Sequence, residues 1–326
     1  MAQQGKVVAV TGASGYVGAK LLERLEQEPG LRKLVAFDVK APPLPIHNVA
    51  NYRKNVSEPI NDDLNDQEAT TLVHLAFNPR RGATRREIIE IRDENLNTLR
   101  SVMASCARAR VTHLVYLSSH LVYGAHGDNP LPISEGEPMR PSPEDSYANN
   151  KSFCELALEE FSRAQEEVKV TVLRSCPVIG PSADNVATRS FFRKWFKGVS
   201  DGNPAMQFVY DDDLARVMSI IIQREIPGTF NVAGDGVVFY REMADIIDSK
   251  MINLPSFLAY PLNKLCWELR LQRSTTASDI DLVRWPILMS TGKLRKATGY
   301  RFWHTALESL TAFANSAYIY RDPSPF

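Results

Sequence analysis

Hydrophobic positions along the first two thirds of this chain follow two alternating rhythms. Short runs rich in β-branched residues predict strands at Lys6–Thr11 (KVVAVT), Lys33–Phe37, 50–56, Thr71–Ala76 (TLVHLA), Thr112–Leu117 and Lys169–Arg174 (KVTVLR). Between them, apolar residues three and four apart predict helices. The first runs from Ala19 to Glu26 with Leu21, Leu22 and Leu25 on its stripe. The second runs from Arg85 to Arg108 with Ile88, Ile91, Leu99, Val102 and Met103, and a third from Tyr147 to Gln165. Strands alternating with helices in this way predict an α/β fold on a doubly wound parallel sheet.

Beyond Pro177 the rhythm breaks. A short aromatic and basic helix is predicted over Ser190–Gly198, and a strand over Gln207–Tyr210. Asp211, Asp212 and Asp213 are expected to cap a helix over Leu214–Gln223, the blander alternative to a cation site. A last strand falls at Thr229–Val232, followed by helices over Tyr240–Met251, Leu262–Leu271 and Trp303–Ala314. The expected division is a dinucleotide domain, 1–177 with 207–235 returning to it, and a smaller, mostly helical substrate domain from 178–206 and 236–326. The apolar, aromatic segment 255–271 reads as a lid or wall over an apolar substrate, with membrane contact as the lesser reading.

Composition narrows the class. The chain has 326 residues, 44% hydrophobic and 23% charged, with Lys+Arg and Asp+Glu both at 38. That balance gives no basic field for nucleic acid, and the arginines at 80, 81, 85 and 86 read as a solvated loop and helix start. Cys106, Cys154, Cys176 and Cys266 show neither metal-ligand nor disulfide spacing, so reduced thiols and no metal are expected. With no leader pattern and no apolar run long enough to span a bilayer, a cytoplasmic protein is the expectation.

Candidate chemistry gathers at the strand ends. The first strand runs into Gly12-Ala13-Ser14-Gly15-Tyr16-Val17-Gly18 and then a helix, the context in which backbone N–H groups cradle a pyrophosphate. The second strand ends in Asp38, twenty residues past Gly18, where a carboxylate accepts from a ribose 2′-hydroxyl and repels a 2′-phosphate. NAD is therefore expected over NADP, with Lys40 the residue that argues the other way. Tyr147 and Lys151 lie one helical turn apart on one face. An ammonium there favours tyrosinate and draws the phenol down from its ordinary pKa of about 10. Alone, such a pair is more often a solvated helix face. Gly12, Asp38, Phe77, Ser119 and Pro177 all fall at or just past strand ends, where such sheets bind ligands.

In combination these segments resemble the extended short-chain dehydrogenase/reductase family, the NAD-dependent epimerase/dehydratase superfamily, over nearly the whole chain. TGASGYVG (11–18) is similar to its TGxxGxxG loop, HLAF (74–77) to its HxAA strand end with Phe77 in place of a small residue, and LSSHLVYG (117–124) to SSxxVYG. YANNK (147–151) matches YxxxK, LRSCPVIGP (173–181) LRxxNVYGP, FVYDDDLA (208–215) FIHVDDVA, and GTFNVAG (228–234) the GxYNVG strand. The resemblance implies a Rossmann-like fold and NAD held by Gly12, Gly15, Tyr16, Val17, Gly18, Asp38, Val56, Leu75, Ala76, Phe77, Asn95, Ser118, Tyr147, Lys151, Pro177 and Val178. It implies Tyr147 as acid/base, Lys151 as the residue that holds the nicotinamide ribose, and Ser119 as the hydroxyl bonded to the reacting oxygen. It also implies a homodimer through the helices at 85–108 and 147–165.

Departures from the family pattern direct the choice of reaction. Where sugar-nucleotide 4,6-dehydratases carry Asp-Glu after the catalytic hydroxyl, this chain has His120-Leu121. Where sugar-nucleotide epimerases carry an Asn and a diphosphate-binding Arg, it has Pro177 and Met206; Arg189, Arg193, Lys194 and Lys197 could substitute, and Arg284 sits closer to the strand than expected. The preferred expectation is an NAD-dependent dehydrogenase or ketoreductase acting on a small molecule, with Phe77, Ser119, His120, Val178, Ile179, Met206 and parts of 255–271 lining the substrate. An NDP-sugar 4-epimerase using the same Ser, Tyr and Lys stays open, as does a non-catalytic NAD sensor.

Overall fold

The computed structural model describes residues 5–41, 47–81, 84–183, 188, 195–268 and 277–320. Their elements, in order, are β1 Lys6–Thr11, α1 Tyr16–Glu26, β2 Leu31–Asp38, β3 Val49–Arg53, α2 Asn61–Asp66, β4 Thr71–His74, α3 Arg85–Arg108 and β5 His113–Ser119. A single 3-10 turn, His120–Tyr123, leads on to α4 Ser146–Ala164, β6 Lys169–Ser175 and β7 Val178–Ile179. Then come β8 Trp195–Val199, β9 Ala205–Met206, β10 Val209–Tyr210, α5 Asp211–Arg224, β11 Gly228–Val232, β12 Val238–Phe239, α6 Tyr240–Ile246 and β13 Lys250–Leu254. The chain closes through α7 Ser256–Glu268, α8 Ala277–Leu282, α9 Gly292–Thr298 and α10 Ala306–Tyr320.

Seven parallel strands form the main sheet in the order β11-β6-β5-β4-β1-β2-β3. The order reverses between β1 and β4, the switch point at which doubly wound sheets open a ligand crevice. Alternation along each strand builds two cores. On β1, Val8 and Val10 meet Leu21, Leu22 and Leu25 of α1 and Val217, Met218 and Ile221 of α5. Val7 and Ala9 face the opposite layer, with Leu64 of α2, Leu99 and Val102 of α3, and Cys154 and Leu158 of α4. Both faces are covered, so the strands read as continuous apolar runs.

The C-terminal part departs from the sequence pattern. Residues 195–198, expected to end a helix, lie in β8, which pairs in parallel with the unforeseen β13; the rest of that predicted helix falls outside the described residues. The α6 helix stops at Ile246, five residues short of expectation, because β13 takes up the following chain. The aspartates do not cap α5. Tyr210 is its N-cap, with no side-chain bond, and Asp211, Asp212 and Asp213 occupy the first turn, where the helix dipole favours them. Asp213 instead ties the helix outward, while Asp212 bonds within it. Asp213 accepts from the Trp303 and His304 amides, and Asp212 pairs with Arg216. Among the described residues, no helix is long and apolar enough to cross a membrane, and no cluster of His, Cys, Asp or Glu could hold a metal ion.

Candidate active site

Close backbone packing makes the glycine loop. Gly12 has a φ of +69°, and a Cβ there would meet the Ala76 nitrogen at 2.6 Å, so β4 and the loop can touch only through glycine. A Cβ on Gly18 would meet the Gly12 carbonyl at 2.2 Å, which brings the start of α1 against the turn. Gly15 is the N-cap of α1 and brings no side-chain acceptor, which leaves the first-turn amides of Tyr16, Val17 and Gly18 without a side-chain cap. Above them stands half-buried Asp38, accepting from the Ser14 amide at 2.9 Å and the Lys40 amide at 3.0 Å. Lys40 thus contributes its backbone to fixing the carboxylate. A helix start open to an anion beside a carboxylate open to a hydroxyl fits a dinucleotide without a 2′-phosphate.

Neighbouring loops pack around this cradle. The Leu75 amide donates to the Thr11 carbonyl at 3.1 Å, and Thr11 Oγ1 lies 2.7 Å from Nδ1 of buried His74. Val56 lies three residues beyond β3, buried with Phe37 and Ile60. Asn95 accepts from the Asn78 amide at 2.8 Å and donates to its carbonyl at 3.0 Å, clamping the loop that carries Phe77. The Pro177 carbonyl accepts from the Val209 amide at 3.1 Å, and Val178 pairs with the same residue between β7 and β10. Tyr16 does something the sequence did not announce. Its hydroxyl donates to Asp211 at 2.6 Å, and burial first, then the Asp211 charge, raises its pKa.

The end of β5 and the first turns of α4 bring Ser119, Tyr147 and Lys151 together. Asp145 caps α4, accepting from the Ala148 amide at 3.1 Å. Arg81 binds beside it at 3.7 Å and reaches Asp279 of α8 at 2.6 Å, so this arginine is a bridge and not a solvated loop residue. Ser119 Oγ accepts from the Leu121 amide at 3.2 Å. Lys151 Nζ donates to the Leu117 carbonyl at 2.8 Å and lies 3.7 Å above the Phe77 ring. Phe77 meets Tyr147 edge-on, with ring centroids 5.6 Å apart. It fills the space a smaller residue would leave and gives the ammonium an aromatic face.

Electrostatics here differ from the simple Tyr–Lys expectation. Burial pushes the Tyr147 phenol up to about 12, opposed by hydrogen bonding to Ser119, while Asp145 raises it further and Arg81 lowers it. Burial also brings Lys151 down to about 8. Losing its proton near 8, Lys151 carries no charge over the range in which Tyr147 ionises, so it does not draw the phenol down. In the free protein Tyr147 is therefore a proton donor at neutral pH. His120, next to Ser119, is lowered to about 4 by burial, and its Nδ1 is buried with no hydrogen-bond partner among the described residues.

His74 and His113 are buried too, and burial lowers them to about 3 and about 4. The unfolded chain takes up these protons near pH 6.5, so between that pH and about 4 it binds more protons than the folded one. Stability should fall as pH drops through this window. Urea midpoints at pH 7 and pH 5 check it, and an unchanged midpoint at pH 5 sinks the neutral assignment.

Other expected substrate residues are placed differently. Ile179 is fully buried in the core with Phe208 and Met243 and presents no surface to a cleft. Met206 lies in β9, paired with Val238 and half-buried. Arg284 is committed to Asp201 at 3.0 Å and to the face of Trp285. Lys197 is exposed on β8, whereas Arg189, Arg193 and Lys194 lie outside the described residues. Phe257, Leu258, Leu262 and Leu265 of the 255–271 segment are exposed, and 269–271 lie outside the described residues.

Behind the site runs a buried polar chain that sequence reasoning missed. Ser118 donates to Glu155, and Arg174 binds the same carboxylate through Nε at 3.0 Å and Nη2 at 2.8 Å. Arg174 Nη1 donates to the Tyr123 hydroxyl at 2.9 Å, which donates to Asn231 at 2.8 Å. Each residue except Glu155 sits in a segment that resembled the family, but only the fold shows that they touch.

An uncapped helix start under a strand-end carboxylate, at the switch point of a parallel sheet, defines a dinucleotide-binding α/β protein. Residues 8–233 match the NAD dependent epimerase/dehydratase family, and the chain belongs to it. Membership brings NAD as the cofactor, which the glycine cradle and Asp38 fit. The chain is similar to an uncharacterised protein of Mycobacterium tuberculosis, 23% identical over 94% of this chain and 83% of that one. It is also similar to D-erythronate dehydrogenase of Haemophilus influenzae, 25% identical over 56% of this chain and 59% of that one. Among solved structures, UDP-glucose 4-epimerase of Thermotoga maritima superposes with a TM-score of 0.75 at 17% identity, covering 97% of this chain and all of that one. At that identity the likeness is one of fold.

Proposed function

We propose that the protein is an NAD-dependent oxidoreductase that interconverts a secondary alcohol and a ketone on a small molecule, as a dehydrogenase or ketoreductase. The observation that carries this reading is the convergence of Ser119, Tyr147 and Lys151 on one edge of the sheet, beside the glycine cradle. Bound NAD supplies the hydride acceptor, or as NADH the donor, at nicotinamide C4. Tyr147 gives its proton to the ketone oxygen during reduction, the form in which burial keeps it, and takes the hydroxyl proton back during oxidation. Ser119 hydrogen-bonds that oxygen. Lys151, fixed from behind by Leu117, presents its charge to the ribose and to the proton path.

Net redox chemistry is preferred over sugar-nucleotide epimerisation because Met206 stands where a diphosphate-binding arginine is expected and Arg284 is already paired. Each lost charge-assisted bond is worth about 1.5–3 kcal/mol. The similarity to D-erythronate dehydrogenase points the same way. Likeness in fold to a UDP-glucose 4-epimerase supports the second reading, in which the ketone intermediate is re-reduced and no NADH accumulates. Purified protein with NAD and a panel of alcohols, ketones and UDP- or GDP-sugars, followed by NADH absorbance and sugar interconversion, separates the two. Interconversion without net NADH overturns the dehydrogenase reading, and tighter binding of NADP than NAD overturns the role of Asp38.

The same reading includes a homodimer through α3 and α4, supported by Ile89, Phe153 and Leu156, large apolar side chains left exposed on those helices. Sedimentation velocity at micromolar concentration should give a dimer, and a monomer there removes this part of the proposal.

A further inference from the structure

Tyr16 opens α1, yet its side chain leaves the glycine loop. The ring packs against the C-terminal core of Ile179, Phe208, Val238 and Met243, and the hydroxyl donates to Asp211 Oδ2 at 2.6 Å. Asp211 is the first residue of α5 and is buried. Its other oxygen accepts from the Asp212 amide at 2.7 Å. A Cβ on Gly180 would meet the carboxylate at 2.5 Å, so the acid is wedged against the chain that leaves β7. Packing alone would be served by Phe at 16 and an apolar residue at 211; the pattern that 208–215 resemble has Val there. A carboxylate taken out of water costs stability unless donors reach it, so the acid and the hydroxyl belong together.

The loop needs such a hold from outside. A helix start is ordinarily fixed by a cap side chain that takes up its first amides. Here Gly15 is the N-cap and supplies none, and the amides left free are those that suit a pyrophosphate. Two ties take the place of a cap, one on each side of Gly15. Ser14 is held at the end of β2, its amide donating to Asp38 at 2.9 Å and its hydroxyl to the Lys40 carbonyl at 2.8 Å. Tyr16 is held to α5 through Asp211. That helix is a fixed support. Asp213 binds the Trp303 and His304 amides at one end, and Arg224 donates to the Thr298 carbonyl at 2.9 Å at the other.

The Ser14 tie sits on the carboxylate that receives a ribose, and the Tyr16 tie on the first residue of the helix that receives phosphate. We propose that Tyr16 and Asp211 are a positioning pair for the cofactor, holding the first-turn amides of α1 where the pyrophosphate of NAD meets them. The pair acts on cofactor binding, whichever reaction the site performs.

Calorimetric titration with adenosine, ADP and NAD tests the pair. Adenosine offers its 2′-hydroxyl to Asp38 and carries no phosphate, whereas ADP adds the diphosphate. Tyr16→Phe keeps the packed ring and should weaken ADP and NAD about tenfold, the worth of one hydrogen bond to a charged group, with adenosine unchanged. Asp211→Asn, whose amide still bonds the Tyr16 hydroxyl, should lose less than Asp211→Val. Undiminished ADP affinity in Tyr16→Phe overturns the proposal. Equal losses for adenosine and ADP overturn it too, because they mark a general loosening. Hydrogen exchange of the parent protein keeps the test sharp if the variants do not fold. Saturating ADP should slow exchange in the first two turns of α5 and adenosine should not, since a bond that steadies the loop is steadied in return by what the loop binds. Exchange there that ADP leaves unchanged overturns the pair as well.

Discussion

Tyr147→Phe is expected to lower turnover by roughly two to four orders of magnitude, the range general acid–base catalysis supplies, while NAD affinity is unchanged. The substitution keeps the ring that packs edge-on against Phe77 and removes only the hydroxyl. No hydrogen bond of the glycine cradle passes through that oxygen, because Asp38 is held by Ser14 and Lys40. The hydroxyl is the proton donor under both the redox and the epimerase readings, so both lose the same step. Steady-state rates on an accepted substrate, together with NAD titration by protein fluorescence, provide the check. A variant with parental rates would remove Tyr147 from the chemistry under both readings.

The largest expected loss of stability is at Arg174. Arg174→Met removes the guanidinium and leaves the Glu155 carboxylate buried with only Ser118 donating to it. Breaking one side of a buried pair typically costs about 3–5 kcal/mol, because the remaining charge has been taken from water without compensation. Removing both charges is a milder change, so Glu155→Leu with Arg174→Met should be more stable than Arg174→Met alone. Urea denaturation of the parent, single and double variants measures this difference. A single variant costing less than about 1 kcal/mol, the value of an exposed pair, would show that water reaches the carboxylate. Glu155 lies one turn after Lys151, and Ser118 one residue before Ser119, so the substitution should also reduce turnover.

Legibility in the sequence followed the locality of the signal. The strands at 6–11, 71–74 and 169–175 and the helix at 85–108 are each fixed by their own apolar period, and they stand where the pattern placed them. The glycine loop was equally local, since one short stretch carries the turn, the close approach and the helix start. Pairings between distant segments could not be read. The β8 strand is a strand because β13, more than fifty residues later, lies alongside it; its aromatic and basic residues carry no alternation of their own. The three aspartates looked like caps because Asp is a good cap, but Asp213 bonds Trp303 and His304 and Asp211 bonds Tyr16, partners no local pattern mentions, and Asp212 pairs with Arg216 on its own helix. Tyr147 and Lys151 were legible as a pair, whereas their protonation was not, because burial outweighs the influence of one charge on another.

The bond between Tyr16 and Asp211 spans 195 residues. A chain synthesised only as far as Tyr210 has every glycine of the cofactor loop but not the carboxylate that holds the loop's tyrosine. Contacts that close such long loops carry a large entropic cost and are slow to form. The carboxylate that holds the first motif of the sequence is therefore supplied only after about two thirds of the chain has been made.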